Sequence, residues 1–283
     1  MATDSRLSRL AAVLRGIAAQ GPVFIAYSGG LDSRFLAHAA RLTGITPTLL
    51  HVAGPHVPAR ESGQAAARAG RMGLPLRIVP VDPLETPEVR ANGRERCYFC
   101  KRALFARLSG EARAVAEAGE PVLCDGSNAS DRRGYRPGLR ALAELGVRSP
   151  LAEAGLEKPE IRELAALSGL EAPDQPSRPC LLTRFAYGVQ PTPDLLARVD
   201  AAELAVEESW LTMQPPDAAP PAVPVPEYRV RLAGGDLVLQ MALPPEREAA
   251  FMAALNARLA ALGLPAPLLA AGESVSGYFD RRA

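Results

Sequence analysis

Two stretches of this sequence carry residue types that chemistry uses. The first is Ser28-Gly29-Gly30-Leu31-Asp32-Ser33, lying between the apolar run Val23-Phe24-Ile25-Ala26 and a helical pattern from Arg34 to Leu42. Glycines let backbone N–H groups turn toward an anion, the serines add hydroxyl donors, and a helix N-terminus adds partial positive charge. Together these suit a pyrophosphate. The string lacks the Gly-Lys-Ser/Thr ending of a Walker loop, and there is no Gly-x-Gly-x-x-Gly dinucleotide fingerprint. The plain alternative is a strand-to-helix turn capped by Asp32 or Ser33.

The second stretch is Arg96-Cys97-Tyr98-Phe99-Cys100-Lys101, at the start of a predicted helix. The helix dipole, Arg96 and Lys101 all favour the thiolate there, and thiolate is the metal-binding form. A third cysteine, Cys180, sits in the polar, basic segment Ser177-Arg178-Pro179-Cys180-Leu181-Leu182-Thr183-Arg184, whereas Cys124 ends an apolar strand and reads as a small buried hydrophobe. A lone Cys-x-x-Cys leaves a zinc half-site, a redox pair and chance all open. Zinc usually takes a fourth protein ligand, and none of His38, His51 and His56 has a metal-like spacing to these cysteines. Three thiolates would suit an iron–sulfur cluster with one iron open to an exogenous ligand such as sulfide.

The elements that must position these residues alternate. Leu7, Leu10, Leu14 and Ile17 recur at helical spacing, and Gly21-Pro22 stops that helix. Strand-like runs follow at Thr48 to Val52, Leu76 to Val81, Val122 to Cys124 and, more weakly, Val147 to Leu151, with helical segments at Arg60 to Arg71 and Lys101 to Glu117. Such alternation predicts an α/β fold, a doubly wound parallel sheet whose ligands sit beyond the carboxyl ends of the strands. Asp125 and Asn128 end a strand on that side, although Asp125-Gly126 alone could be a turn. A Pro- and Ala-rich stretch, Gln214 to Pro226, interrupts the chain after the sheet domain. Beyond it, strands at Tyr228 to Leu232 and Leu237 to Met241 and a helix from Glu246 to Leu262 predict a smaller α+β domain. We place the domains at 1–187 and 188–283.

Lys plus Arg (32) nearly balance Asp plus Glu (31), so the overall field favours a small-molecule substrate over nucleic acid. No apolar stretch approaches the roughly 20 residues of a membrane span, and the N-terminus lacks a signal-peptide core. The expected location is the cytoplasm, where four cysteines are better read as metal ligands or reactive thiols than as disulfides.

The six-residue string resembles the SGGxDS motif of PP-loop ATP pyrophosphatases, enzymes that attach AMP to a substrate oxygen and release pyrophosphate. That resemblance implies that Ser28, Gly29, Gly30, Asp32 and Ser33 hold the phosphates of ATP and a magnesium ion. From Ala26 to about Arg231 the chain resembles, more narrowly, the LarE family of sulfur transferases. The likeness is carried by Asn92, Arg96-Cys97-Tyr98-x-Cys100-Lys101, Asp125-Gly126-Ser127-Asn128-Ala129-x-Asp131, Tyr135-Arg136-Pro137-Gly138, Ser149-Pro150-Leu151, Lys158 and Ile161-Arg162. It continues through Pro176-Ser177-x-Pro179-Cys180-Leu181, Arg184, Tyr187-Gly188 and Arg229-Val230-Arg231.

The family implies adenylylation of a carboxylate of pyridinium-3,5-biscarboxylate mononucleotide, then sulfur insertion to a thiocarboxylate, in biosynthesis of the nickel-pincer nucleotide of lactate racemase. Some members surrender sulfur from one cysteine, at a position that Cys180 resembles. Others hold a 4Fe-4S cluster on three cysteines, and Cys97, Cys100 and Cys180 resemble that version, with a sulfide or persulfide as the sulfur source. The resemblance also implies a homo-oligomer and a tie to lactate racemase maturation. Arg229 and Arg231 alternate on one strand face and could clamp a phosphate or carboxylate; a solvated face is the plain alternative. Arg136 and Arg184 are further substrate contacts. Glu203 resembles an acidic metal-binding position, or else is a solvent-facing helix residue. Two departures stand out: Gln240 where the family usually has an acid, and Phe279 near a Gly-Tyr-Arg-like end, where Arg281 could substitute. Another AMP-forming enzyme, a tRNA thiolase or an amide synthetase, is the alternative reading.

Overall fold

The computed structural model describes residues 4–133, 136–213, 225–233, 235–270 and 278–279. Most of the Pro-rich stretch, together with Tyr135, Gly277 and Arg281, lies outside the described residues. Backbone contacts divide the chain into two compact units, residues 1–89 with 94–178, and residues 90–93 with 179–283. The segment 179–187, expected with the first domain, groups with the second, as does the short piece around Asn92.

In the first unit the order is α1 (Ser5–Ala18), β1 (Val23–Ala26), α2 (Leu31–Leu42), β2 (Thr48–Ala53), α3 (Ala59–Arg71), β3 (Leu76–Pro80), α4 (Pro87–Arg90, its last residue already in the second unit), α5 (Arg96–Val115), β4 (Val122–Cys124), α6 (Pro137–Glu144), α7 (Pro150–Glu153) and α8 (Lys158–Leu167). The four strands form one parallel sheet in the order β3-β2-β1-β4, with Ile25 opposite both Leu49 and Cys124. This is the α/β sheet that the alternation predicts.

Why the strands read as unbroken apolar runs is visible in their packing. Val23 and Ile25 join one core with Leu14 of α1, Phe35 and Leu36 of α2, Ala65 of α3 and Leu164 of α8. Phe24, between them, joins the opposite core with Phe105 and Leu108 of α5 and Leu142 of α6. Side chains alternate across a strand, so a sheet covered on both faces needs apolar residues at every position. Each fully buried Leu, Ile or Phe in these layers contributes about 1.5–3 kcal/mol.

The weak fifth strand is a correction. Only Arg148 makes a bridge, parallel to Cys124, and the chain then turns into α7 at Pro150. Proline has no N–H to give a ladder and fits the first turn of a helix, so pairing ends where it begins.

The second unit contains α9 (Pro193–Thr212), β5 (Tyr228–Ala233), β6 (Asp236–Met241), α10 (Pro245–Ala261) and β7 (Leu268–Ala270). β5 and β6 are antiparallel, as the alternation around Gly234-Gly235 predicts, and β7 adds a parallel edge not foreseen from sequence. Trp210 of α9 and Phe251 of α10 meet edge to face at 6.1 Å over Val230 and Leu239, and this is the unit's core. Among the described residues no helix is long and apolar enough to cross a membrane.

Candidate functional site

The phosphate loop lies where β1 gives way to α2. Gly29 has φ +76°, and a Cβ there would stand 2.8 Å from Cβ of Ala65 on α3, so both conformation and space demand glycine. Gly30 is the N-cap of α2 and supplies no side-chain cap. Helix-terminal N–H groups are thus left for an external anion. Ser28 Oγ accepts from the Gly30 N–H at 3.3 Å and lies 3.2 Å from Ser33 Oγ, which donates to the Gly30 carbonyl at 3.1 Å. Arg68 of α3 donates to the Gly29 carbonyl at 3.3 Å and to Gln175 Oε1 at 3.2 Å, pinning the loop from behind.

Asp32, the second residue of α2, has two unlike oxygens. Its Oδ2 accepts from Lys158 Nζ at 2.6 Å, while its Oδ1 is buried without a hydrogen-bond partner. A buried carboxylate oxygen with no donor is costly and marks a place for one. Opposite, Asp125-Gly126 follows β4 and presses on the start of α2: a Cβ on Gly126 would come within 2.9 Å of the Ser33 nitrogen. Asp125 is held by Ser127 Oγ at 2.5 Å and Ser149 Oγ at 2.6 Å, with Lys101 Nζ at 3.8 Å. Asn128 spends its Oδ1 on the Ser130 N–H, closing a local turn, so its carboxamide orients backbone. Arg136, 62% exposed, pairs with Asp131 at 3.2 Å, close to this turn.

The cysteine pair sits on α5. Cys97 is half-buried and Cys100 buried, in the first turns of the helix, with Arg96 buried beside them and donating to Cys97 Sγ at 3.8 Å. All four cysteines are free thiols. Burial pushes the Cys124 thiol up to about 12, in keeping with an inert core position. Cys180 belongs to the second unit, where its carbonyl accepts from the Thr183 N–H and hydroxyl and starts the turn Leu181–Arg184.

That turn leads into a buried ionic cluster. Arg184 donates through Nε to Glu203 Oε1 at 2.7 Å and through Nη2 to Oε2 at 3.2 Å, and Glu203 also accepts the Val230 N–H at 3.1 Å. Glu203 is therefore neither solvent-facing nor presented to a metal: both oxygens are taken, and the residue is 4% exposed. Its burial would raise the carboxyl, but the Arg184 guanidinium and the Val230 N–H outweigh that and hold it below its ordinary value. Arg229 and Arg231 are buried too, which removes the solvated-face alternative. Burial lowers both guanidiniums, Arg231 to about 10. Arg231 donates to Gln240 Oε1 and to the Thr183 carbonyl at 2.7 Å, and it lies against the rings of Tyr278 and Phe279 at 4.8 and 5.2 Å. At Gln240 an amide does what an acid would do for Arg231, leaving its Nε2 buried without a partner.

Within the first unit the structure brings together Ser28, Gly29, Gly30, Asp32 and Ser33, with Asp125 and Gly126 against them. Within the second it joins Arg184, Glu203, Arg229 and Arg231. Two contributors had no role assigned from sequence, Lys158 and Ser149, because partners 126 and 24 residues away leave no local signal. Asp32 Oδ1 and the Ser28 and Ser33 hydroxyls are an all-oxygen donor set that fits a hard cation such as magnesium. The thiols of Cys97 and Cys100 are soft donors that fit iron or zinc. No group of three His, Cys, Asp or Glu side chains forms a metal centre among the described residues. His51 has both ring nitrogens in hydrogen-bonding contact, one with the Tyr27 carbonyl and the other with Ser62 Oγ.

No protein-family model matches the chain. An uncharacterized protein of Synechocystis is 39% identical over 181 residues, covering 64% of this chain and 66% of its own. An uncharacterized protein of Methanocaldococcus jannaschii is 32% identical over 182 residues, 64% of this chain and 68% of its own. The pyridinium-3,5-bisthiocarboxylic acid mononucleotide synthase of Lactiplantibacillus plantarum is 32% identical over 183 residues, 64% of this chain and 65% of its own. The chain thus spans about two thirds of the length of these relatives. The chain is similar over 64% of its length to two uncharacterized proteins and to a pyridinium-3,5-bisthiocarboxylic acid mononucleotide synthase, in keeping with the parallel sheet and the loop at its carboxyl edge.

Proposed function

We propose that the chain is an ATP-dependent sulfur transferase acting on a carboxylate of pyridinium-3,5-biscarboxylate mononucleotide, in the making of a nickel-pincer nucleotide. The observation that carries this reading is the uncapped start of α2 behind the left-handed Gly29, with the unpartnered Asp32 Oδ1 beside it. A substrate carboxylate oxygen attacks the α-phosphorus of ATP, the bond to the β-phosphate oxygen breaks, and pyrophosphate leaves. A sulfur nucleophile then attacks the acyl adenylate carbon, and AMP departs with the former carboxylate oxygen.

The chain's residues supply the setting. Ser28, the N–H groups at the start of α2 and Ser33 would bind and orient the leaving pyrophosphate. Asp32 with the two hydroxyls would hold a magnesium ion, which, when bound, offsets the charge developing on that leaving group. Arg229 and Arg231 are preorganised guanidiniums suited to a phosphate or carboxylate of the nucleotide, whereas Arg184 is spent on Glu203 and serves to hold that cluster. Cys97, Cys100 and Cys180 would hold a 4Fe-4S cluster, which would supply transferable sulfide, replenished by a sulfide source or by a persulfide donor together with a dithiol reductant that supplies the two electrons. Sacrifice of Cys180 sulfur is the second route, and both share the first half-reaction.

The test is exchange of labelled pyrophosphate into ATP with the biscarboxylate nucleotide, with tRNA, and with neither. Exchange that needs the nucleotide and is lost in Asp32→Asn supports the reading. Exchange driven by tRNA alone, or full activity in Asp32→Asn with its fold intact by circular dichroism, refutes it.

A further inference from the structure

We propose that the first unit holds a small monovalent anion, of the size and charge of chloride, between the Tyr27 hydroxyl and the Nε–H of Arg34, and that this ion keeps the segment 171–175 fastened beside the phosphate loop. Tyr27 and Arg34 are each 1% exposed. Arg34, in the first turn of α2, spends its terminal nitrogens on backbone carbonyls, Nη1 on Glu171 at 2.6 Å and Nη2 on Ala172 at 2.9 Å. Its Nε is buried with no acceptor, and the Tyr27 hydroxyl is buried with no partner either. The main chain of Tyr27 is fixed between the Leu50 carbonyl and His51, and burial pushes the hydroxyl up to about 12, so it stands there as a neutral O–H donor.

Two buried donors without an acceptor are costly, and a water molecule alone could satisfy them. The charge around them selects an anion instead. Besides the tyrosine, the neighbours that weigh most on Arg34 are Arg68, Glu171 and Arg71, two cations against one carboxylate. Glu171 is spent on Arg71 at 2.9 Å in an exposed pair, while Arg68 donates to neutral oxygens, the Gly29 carbonyl and Gln175 Oε1. The Arg34 guanidinium thus lies out of water on carbonyl partners, a buried charge that calls for a counter-charge. Polyphosphate is too large for two atoms closed off from solvent; a single halide-sized ion matches them in size and in sign.

What the ion would hold is a strained piece of backbone. Ala172 has φ +48°, a left-handed conformation kept by a residue with a Cβ only where its surroundings over-determine it. Arg34 grips the Ala172 carbonyl, and Arg68 ties Gln175, three residues on, to Gly29.

Bromide, an anomalous scatterer with the charge of chloride, is the probe, and gluconate at equal ionic strength, too large to enter, is the control. Amide exchange of the full chain, read by mass spectrometry, should slow in peptides covering 171–175 as bromide replaces gluconate. The slowing reaches ~10-fold once bromide is at about ten times its dissociation constant, as mass action on the closed form requires. Peptides from α10 in the second unit keep one rate in both salts. Arg34→Met abolishes the response, and Tyr27→Phe, which keeps the ring and the packing, weakens it. Crystals soaked in bromide show an anomalous peak between Tyr27 Oη and Arg34 Nε. An ordered water only at that place, equal exchange in the two salts, a slowing spread evenly over the chain, or a response undiminished in both variants overturns the proposal.

Discussion

Replacing Glu203 by Gln removes one charge from the middle of the second unit and leaves its partner in place. Arg184 is 2% exposed by side chain and loses two charge-assisted bonds, at 2.7 and 3.2 Å, and the Val230 N–H loses its ionised acceptor. Breaking a buried pair from one side costs about 3–5 kcal/mol, because the remaining charge stays out of water. The chain has a single tryptophan, Trp210, 1% exposed and two turns along α9 from Glu203, so its fluorescence reports this unit alone. With a urea slope of about 1–3 kcal/mol per molar, the midpoint followed at Trp210 falls by at least ~1 M. The paired variant Arg184→Met, Glu203→Leu should cost less than Glu203→Gln, since Arg184 is no longer stranded, while Arg229 and Arg231 lose the Glu203 charge in both variants.

The pH dependence carries its own sign. The folded carboxyl lies below its unfolded value, so its contribution is complete above the unfolded glutamate value of about 4.3 and is lost as pH falls through the depressed folded value. The wild type therefore sheds stability in acid that Glu203→Gln never had, and the two urea midpoints converge as pH drops. A Glu203→Gln protein within about 1 kcal/mol of wild type at pH 7 would refute the assignment of this pair as a desolvated, structural one.

Gly29→Ala combines a left-handed backbone with a 2.8 Å approach to Ala65, so it should cost ~1–3 kcal/mol in unfolding experiments and lower ATP affinity in titrations. Protein purified without oxygen should contain about four irons per chain with matching acid-labile sulfide, lost in Cys97→Ala; a colourless, iron-free wild type would move the case to Cys180 as the donor. In folded protein stripped of any metal, iodoacetamide at pH 8 should label the half-buried Cys97 and Cys180 and spare Cys124, whose buried thiol is pushed up to about 12, until urea is added. Mass spectrometry of the digest distinguishes the three.

The sheet was legible because its strands are buried on both faces and its helices carry a 3.6-residue stripe, so local pattern and global packing agree. The phosphate loop was legible for a related reason: its glycines and serines serve chemistry and turn geometry within six residues. The run at Val147 to Leu151 was misread despite a local signal, since Pro150 within it ends the pairing after a single bridge. What otherwise escaped was long-range. Glu203 looked like a helix surface residue because nothing local shows that Arg184 and the edge of β5 fold over it. Lys158 and Asp32 are distant in sequence, and their meeting is created by the order in which α2 and α8 pack on one face of the sheet.

Asn92 is fully buried at φ +53°, donates to the carbonyls of Ala186 and Val189, and accepts the Gly188 N–H through its own carbonyl. A four-residue thread from the first half of the chain is thus sewn into the second unit, and the chain passes between the units three times, at 89/90, 93/94 and 178/179. A single protease cut near residue 178 would therefore leave the amino-terminal fragment still holding the second unit, through the hydrogen bonds of that thread rather than through the peptide chain. On the ribosome the thread must wait for partners 94 residues downstream, on the order of 5–20 s at roughly 5–20 residues per second. The helix bearing Cys97 and Cys100 begins three residues beyond the thread's end. Its amino-terminal lead therefore settles only after the segment carrying Cys180 has been made, which places completion of the thiol-bearing regions late in synthesis.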